Sequence, residues 1–172
     1  MALKSKDNIE RQTKTEVPPA GFCESVYLRV VKPTFKVSAS DNPMIQLDCE
    51  VFDPTEAQGP DGCVYDLTSL RVTTFVMLGG KGLQFTIDEL LPRLGLPQEI
   101  DDENPDIEPW KGLCFEAILR VTDQPKQKQD PENPGKYILL TDHFGKPIMD
   151  RRINVNTREI LRRVDSPADK PY

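Results

Sequence analysis

The sequence predicts an all-β domain, a five-stranded Greek-key barrel with a short helix between its third and fourth strands and a second short helix near the C-terminus. Three observations lead there. Alternation of apolar and polar residues with period two recurs along the chain, the signature of strands with one face on a core. Clusters of Gly, Pro, Asn and Asp separate the alternating runs. Between the third and fourth runs lies a stretch with helix-start and helix-stop signals.

The clearest strand is the fourth, within Trp110 to Thr122 (WKGLCFEAILRVT). Leu113, Phe115, Ala117, Leu119 and Val121 share one face, and Gly112 marks a bend at the entry. The first strand starts after Gly21, with Val26, Leu28 and Val30 on one side. Past Pro33 the apolar positions shift parity to Phe35 and Val37, as a β-bulge in a long bent strand would require. Phe35 and Phe115 are assigned to the core. Ser40-Asp41-Asn42-Pro43 is a turn by composition. The second strand places Ile45, Leu47, Cys49 and Val51 inward, and Asp53-Pro54 ends it.

Gly59 to Gly62 reads as a loop. The third strand, Leu70 to Leu78, alternates Val72, Thr74, Val76 and Leu78 with Arg71, Thr73, Phe75 and Met77. The glycines at 79, 80 and 82 lack the spacing of a phosphate-binding loop and read as a turn. Thr86 and Glu89 resemble a capping box opening a short helix, which Pro92 limits and Gly95 closes. The fifth strand is expected at Tyr137 to Thr141, with a further short strand at Ile148 to Val155. Asn156 to Arg163 carries a cap signature for the C-terminal helix. The expected organisation is an N-terminal arm over 1–20, a barrel domain over 21–155, and a short helix with a polar tail over 156–172. Within the barrel domain lie an acidic insert (98–109) and a strand 4–5 loop (123–136).

A chain of 172 residues with 37% apolar content can bury a real core. No apolar run reaches the roughly eighteen residues a membrane span needs. The first twenty residues carry no apolar region of the secretory type, so no membrane association and a cytoplasmic location are expected. The four cysteines form no C-x-x-C pair, and Cys49 and Cys114 fall in strand alternation, where free cysteine is a small core residue. The net charge of −6 is uneven. Glu99 to Glu108 holds six acids and no base, and without it the chain is formally neutral. From His143 to Arg163, six Lys or Arg face two acids. The acidic run is either a solvated loop or, alternatively, an electrostatic decoy or a partner-binding segment.

The order strand, strand, strand, helix, strand, strand is that of the OB-fold. The segment PAGFCESVYLRVVKPTFKVSASDNPMIQLDCEVFDP, with its Gly-led first strand, Ser/Asn turn ending NPMI and second strand ending EVFDP, resembles the opening of phage-encoded single-stranded-DNA-binding-like proteins. The later KGLCFEAILRVT, variable loop and Y…GKPI succession is similar to their second half. The resemblance spans roughly Ala20 to Val155. It implies an OB-fold and single-stranded DNA binding in phage replication or recombination, in the host cytoplasm.

Binding single strands without sequence preference calls for cations along the backbone path and aromatic faces for the bases. The candidates are Arg71 and Phe75 on the third strand, Trp110 and Lys111 at the barrel rim, Arg120 on the fourth strand, and Lys126, Lys128, Lys136 and Tyr137 around the last loop. Phe75 either stacks or packs beneath the helix or arm; Trp110 either stacks or plugs the barrel end. Asp48 and Glu50 on the outward face of the second strand argue that any groove runs over the third strand and the loops. A single histidine, His143, leaves no hydrolytic triad or two-histidine metal site, so neither catalysis, a metal nor a cofactor is expected. The other reading is a protein-binding or virion-structural module on the same barrel, since fold alone does not decide function. The tail Asp165 to Tyr172 faintly resembles the acidic, aromatic-ended tails that recruit replication or recombination proteins, with a plain polar chain end as the alternative. A homo-oligomer is compatible with the sequence.

Overall fold

The computed structural model describes residues 13–165. The fold is mostly β, with 46% strand and 13% helix, and its main body is one antiparallel sheet of six strands. β1 (Cys23–Val37), β2 (Pro43–Asp53) and β5 (Arg71–Met77) follow one another as neighbours. Between them a small hairpin, β3 (Glu56–Gln58) with β4 (Val64–Asp66), stands apart as its own two-stranded sheet. β6 (Cys114–Pro125) returns to pair with the other side of β1. The outer half of β6 pairs with β9 (Met149–Asn154), and its inner half with β10 (Ile160–Arg163). A second hairpin, β7 (Gln127–Gln129) with β8 (Tyr137–Leu139), projects between β6 and β9.

Alternation decides which face is inside. Val26, Leu28, Ile45, Leu47, Val72, Val76, Phe115, Ala117 and Leu119 are all buried in one core, as period-two side-chain direction demands. The parity shift in β1 is a bulge. Val30 faces Cys49 and Lys32 faces Asp48, which leaves Val31 without a partner on β2. At that place β1 also takes leave of β6, through bonds from Val30 N–H to Leu113 O and from Gly112 N–H to Val30 O (2.9 and 3.0 Å). The residue before β6 has to turn sharply, and Gly112 does so at φ +76°, where a side chain would be strained. Phe35 then sits inward opposite Ile45, partly buried against the core.

The helix arrives earlier than its sequence signals suggest. It spans 80–93, beginning as a 3-10 turn at Gly80–Gly82 and widening to a π-type turn at Thr86–Leu90. The glycines are therefore its entrance rather than a turn beyond a strand. A Cβ at Gly79 would lie 2.7 Å from Pro43, and one at Gly82 2.8 Å from Met77, so close approach to the sheet selects glycine at both. Thr86 is no cap: it is buried inside the helix and its hydroxyl donates to Met77 O and Gly82 O (2.7 and 3.1 Å).

Three further expectations are corrected. Tyr137 to Thr141 does not form the fifth strand of the main sheet: β8 pairs with β7, and all three of its residues are exposed. The strand that joins β6 is β9, in register from Arg120↔Asn154 to Pro125↔Met149. The C-terminal helix is a single 3-10 turn at Thr157–Glu159, followed by strand β10. Ile160, fully buried opposite Ala117, anchors that strand to the core. The barrel does not close by backbone pairing either. β5 has β2 as its only hydrogen-bonded strand among the described residues, and toward β9 it is tied by Thr74 Oγ1 donating to Val155 O (2.8 Å).

All four cysteines are free. Burial, reinforced by Asp48, pushes the Cys49 thiol up to about 12, and burial also raises Cys114. Since the thiolate is the reactive form, a thiol-specific dye at pH 8 should label exposed Cys23 promptly while Cys49 and Cys114 react only after denaturation. Prompt labelling of all four would contradict this packing.

Candidate nucleic-acid interface

The outward face of β1, β2 and β5 is read off the registers. Arg29, Glu50 and Arg71 form one row; Lys32, Asp48 and Thr73 the next; Thr34, Gln46 and Phe75 the third; Lys36, Met44 and Met77 the last. Phe75 is 43% exposed although it lies mid-strand, flanked by buried Thr74 and Val76. Its ring is a platform on the surface rather than a core side chain.

The acids of β2 do not make this face repulsive to phosphate. Glu50 is held between two guanidiniums, hydrogen-bonded by Arg29 and 4.0 Å from Arg71 Nη1. Asp48 accepts hydrogen bonds from Gln46 and Thr73, each at 3.0 Å. Four cations, Arg29, Lys32, Lys36 and Arg71, thus stand against two satisfied carboxylates. Two shallow grooves meet at Thr73: one of about 510 Å³ runs past Lys32 and Arg71, the other of about 410 Å³ past Phe75 to Asn154 and Thr157. Arg29, Lys32 and Lys36 are not among the residues singled out from the sequence; for the two lysines a signal was present. The signal for them was the parity shift at Pro33, which turns Lys32, Thr34 and Lys36 outward.

The remaining candidates divide. Lys126, Lys128, Lys136 and Tyr137 are brought together on the arm formed by β7 and β8, all exposed, and none of the lysines is in a salt bridge among the described residues. The arm continues into a second turn at Asp142 to Lys146, where the rings of His143 and Phe144 lie 4.1 Å apart and Phe144 is 77% exposed. Arg120 is engaged elsewhere. Its Nε and Nη2 grip Glu159 at 3.0 and 2.8 Å, which holds that carboxyl below its usual range. Trp110 is buried, so its ring packs against the core instead of offering a face to a base, while Lys111 beside it is exposed.

Elsewhere, the β3–β4 hairpin is sealed by Tyr65, buried, whose hydroxyl donates to Asp61 Oδ2 at 2.5 Å. That bond, with burial, pushes the phenol up to about 12. Lys14 is stitched to the same hairpin through Val64 O and Asp66 N–H. Among the described residues no group of three or more His, Cys, Asp or Glu is gathered to hold a metal ion. No helix there is long and apolar enough to cross a membrane. The tail from Ser166 to Tyr172, expected to recruit partners, and the first twelve residues of the N-terminal arm lie outside the described residues.

Compared with protein-family models and with curated proteins, the chain gives no match. The resemblance to single-stranded-DNA-binding-like proteins therefore rests on the sequence motifs alone.

Proposed function

We propose that the protein binds single-stranded DNA without strong sequence preference, on an OB-type sheet left open at the seam between β5 and β9. The observation that supports it best is exposed Phe75 on the edge strand β5, on the same outward face as Arg29, Lys32, Lys36 and Arg71. The strand pairings agree with an OB arrangement: β1 lies between β2 and β6, β5 lies outside β2, and β9 lies beside β6. In OB-folds the second and third strands, with the 1–2 and 4–5 loops, carry the oligonucleotide. Here those parts are β2, β5, the Ser38–Asn42 turn and the β7–β8 arm. The resemblance carried by the motifs quoted above is the ground for assigning such binding to phage replication or recombination.

The test is anisotropy of labelled oligo(dT) against a salt series, with duplex DNA and oligo(U) as comparisons. With three or four phosphates engaged, log affinity should fall against log salt with a slope of about −2 to −3, at about −0.7 per contact. A flat dependence, or equal affinity for duplex, rejects the reading. The arm keeps a second reading in view. Tyr137, Ile138, Leu139, Phe144, Ile148 and Met149 are all exposed there, and an apolar surface of that kind also suits a protein-binding or virion-structural module. That reading is favoured if oligo(dT) is not bound at all.

A further inference from the structure

We propose that a cleft beneath the acidic loop is a docking site for a partner protein's short segment in which an apolar side chain is flanked by lysine or arginine. The inference does not depend on DNA binding, because the cleft lies apart from the face of Phe75 and has the opposite charge. Its floor is the apolar end of the core: Ile45, Leu78, Leu91 and Trp110, each at most 4% exposed. Its rim is Glu99, Asp101 and Asp106.

The size limits the occupant. The cavity measures about 250 Å³, below the ~300–1,000 Å³ of clefts that enclose a drug-sized molecule. One or two apolar side chains fill it, so the rest of any ligand lies across the rim. The rim determines the charge of that remainder. None of the three rim acids is in a salt bridge among the described residues. Asp102, Glu103 and Glu108 add to the same field from the same loop. A polyanion is repelled there, whereas a basic segment is attracted and its apolar anchor desolvated.

The site is also held in place before anything binds, which lowers the ordering cost of association. Leu96 N–H bonds Leu91 O at 2.9 Å, Gln98 Nε2 bonds Ile87 O at 3.0 Å, and Trp110 N–H bonds Ile107 O at 3.1 Å. Asp101 and Asp106 accept backbone N–H groups of their own loop, at 3.0–3.1 Å, through one carboxylate oxygen each, Oδ1.

Trp110 is the one tryptophan of the chain, so its emission reports occupancy at this cleft and not at other acids. The probes are three labelled pentapeptides: Lys-Arg-Leu-Phe-Lys, Glu-Asp-Leu-Phe-Glu and Lys-Arg-Ser-Ser-Lys. The first should bind the full chain at least about tenfold tighter than either other at low salt, shift Trp110 emission, and lose much of its advantage at ~0.5 M salt. The triple variant Glu99→Gln, Asp101→Asn, Asp106→Asn retains every backbone-accepting oxygen. It should melt like the parent, bind the first peptide at least about fivefold more weakly, and leave oligo(dT) affinity unlowered. Equal binding of the three peptides, an unmoved Trp110 emission, or undiminished binding by the triple variant each overturns the proposal. Loss of oligo(dT) binding with retained peptide binding would instead strike at the DNA reading alone.

Discussion

Phe115→Ala should cost about 3–5 kcal/mol of stability, the usual penalty for emptying an aromatic site in a close-packed core. Phe115 is fully buried and pairs across to Leu28 on β1 and Arg163 on β10, so the strands on both sides of β6 lose contact together. Against a total of roughly 5–15 kcal/mol for a domain, that is at least about a fifth of the reserve. At about 2–4 °C per kcal/mol for a domain of this size, the midpoint should drop by roughly 6–20 °C in a calorimetric scan. Phe144→Ala is the internal comparison, because that ring is 77% exposed and its loss should fall within about 0.5 kcal/mol. Equal losses at the two positions would mean that β6 is not the centre of the core.

Phe75→Ala should weaken oligo(dT) binding by about 1–3 kcal/mol, the range for one base stacked on an aromatic ring, or roughly five- to 150-fold in affinity. Stability should change little, since the ring is not enclosed. Isothermal titration and a melt of the same sample separate the two effects. A collapsed melt with unaltered affinity of the folded fraction would make Phe75 a packing residue and remove the platform from β5. Tyr137→Ala is informative beside it: Tyr137 is 66% exposed on the arm, and a comparable loss there would extend the path of the strand from the sheet onto β8.

How far the sequence revealed these features depended on whether the signal was local. The inward faces of β1, β2, β5 and β6 follow from alternation alone, because burial of one face fixes register. The bulge at Val31 was visible as a change of parity. The fifth strand was not. Tyr137 to Leu140 is the more apolar run, yet it folds back on β7, and Met149–Asn154 supplies the partner that the backbone of β6 needs out to Pro125. β10 was hidden for a related reason: over four residues with one buried side chain, Ile160, helical and strand periodicities are indistinguishable. Of the candidate site, Arg71 and Phe75 were legible as outward residues of one strand. Arg120 was not, since its partner Glu159 lies 39 residues away, while for Trp110 stacking and burial were both open from sequence and the side chain is buried.

The seam at β5 has a consequence for exchange with solvent. From Tyr27 to Arg29, β1 is held in ladders on both sides, to β2 and to β6, and the amides there should be among the last to take up deuterium. Along β5 every second amide points away from β2, its one hydrogen-bonded strand among the described residues, toward a margin where the hydroxyl of Thr74 reaches Val155 O. Those amides need no rupture of the sheet to meet water, only a local fluctuation of small free energy. Slow and fast protons thus lie two strands apart in one continuous sheet. The strand that carries Phe75 is one whose backbone can give way to whatever lies against it.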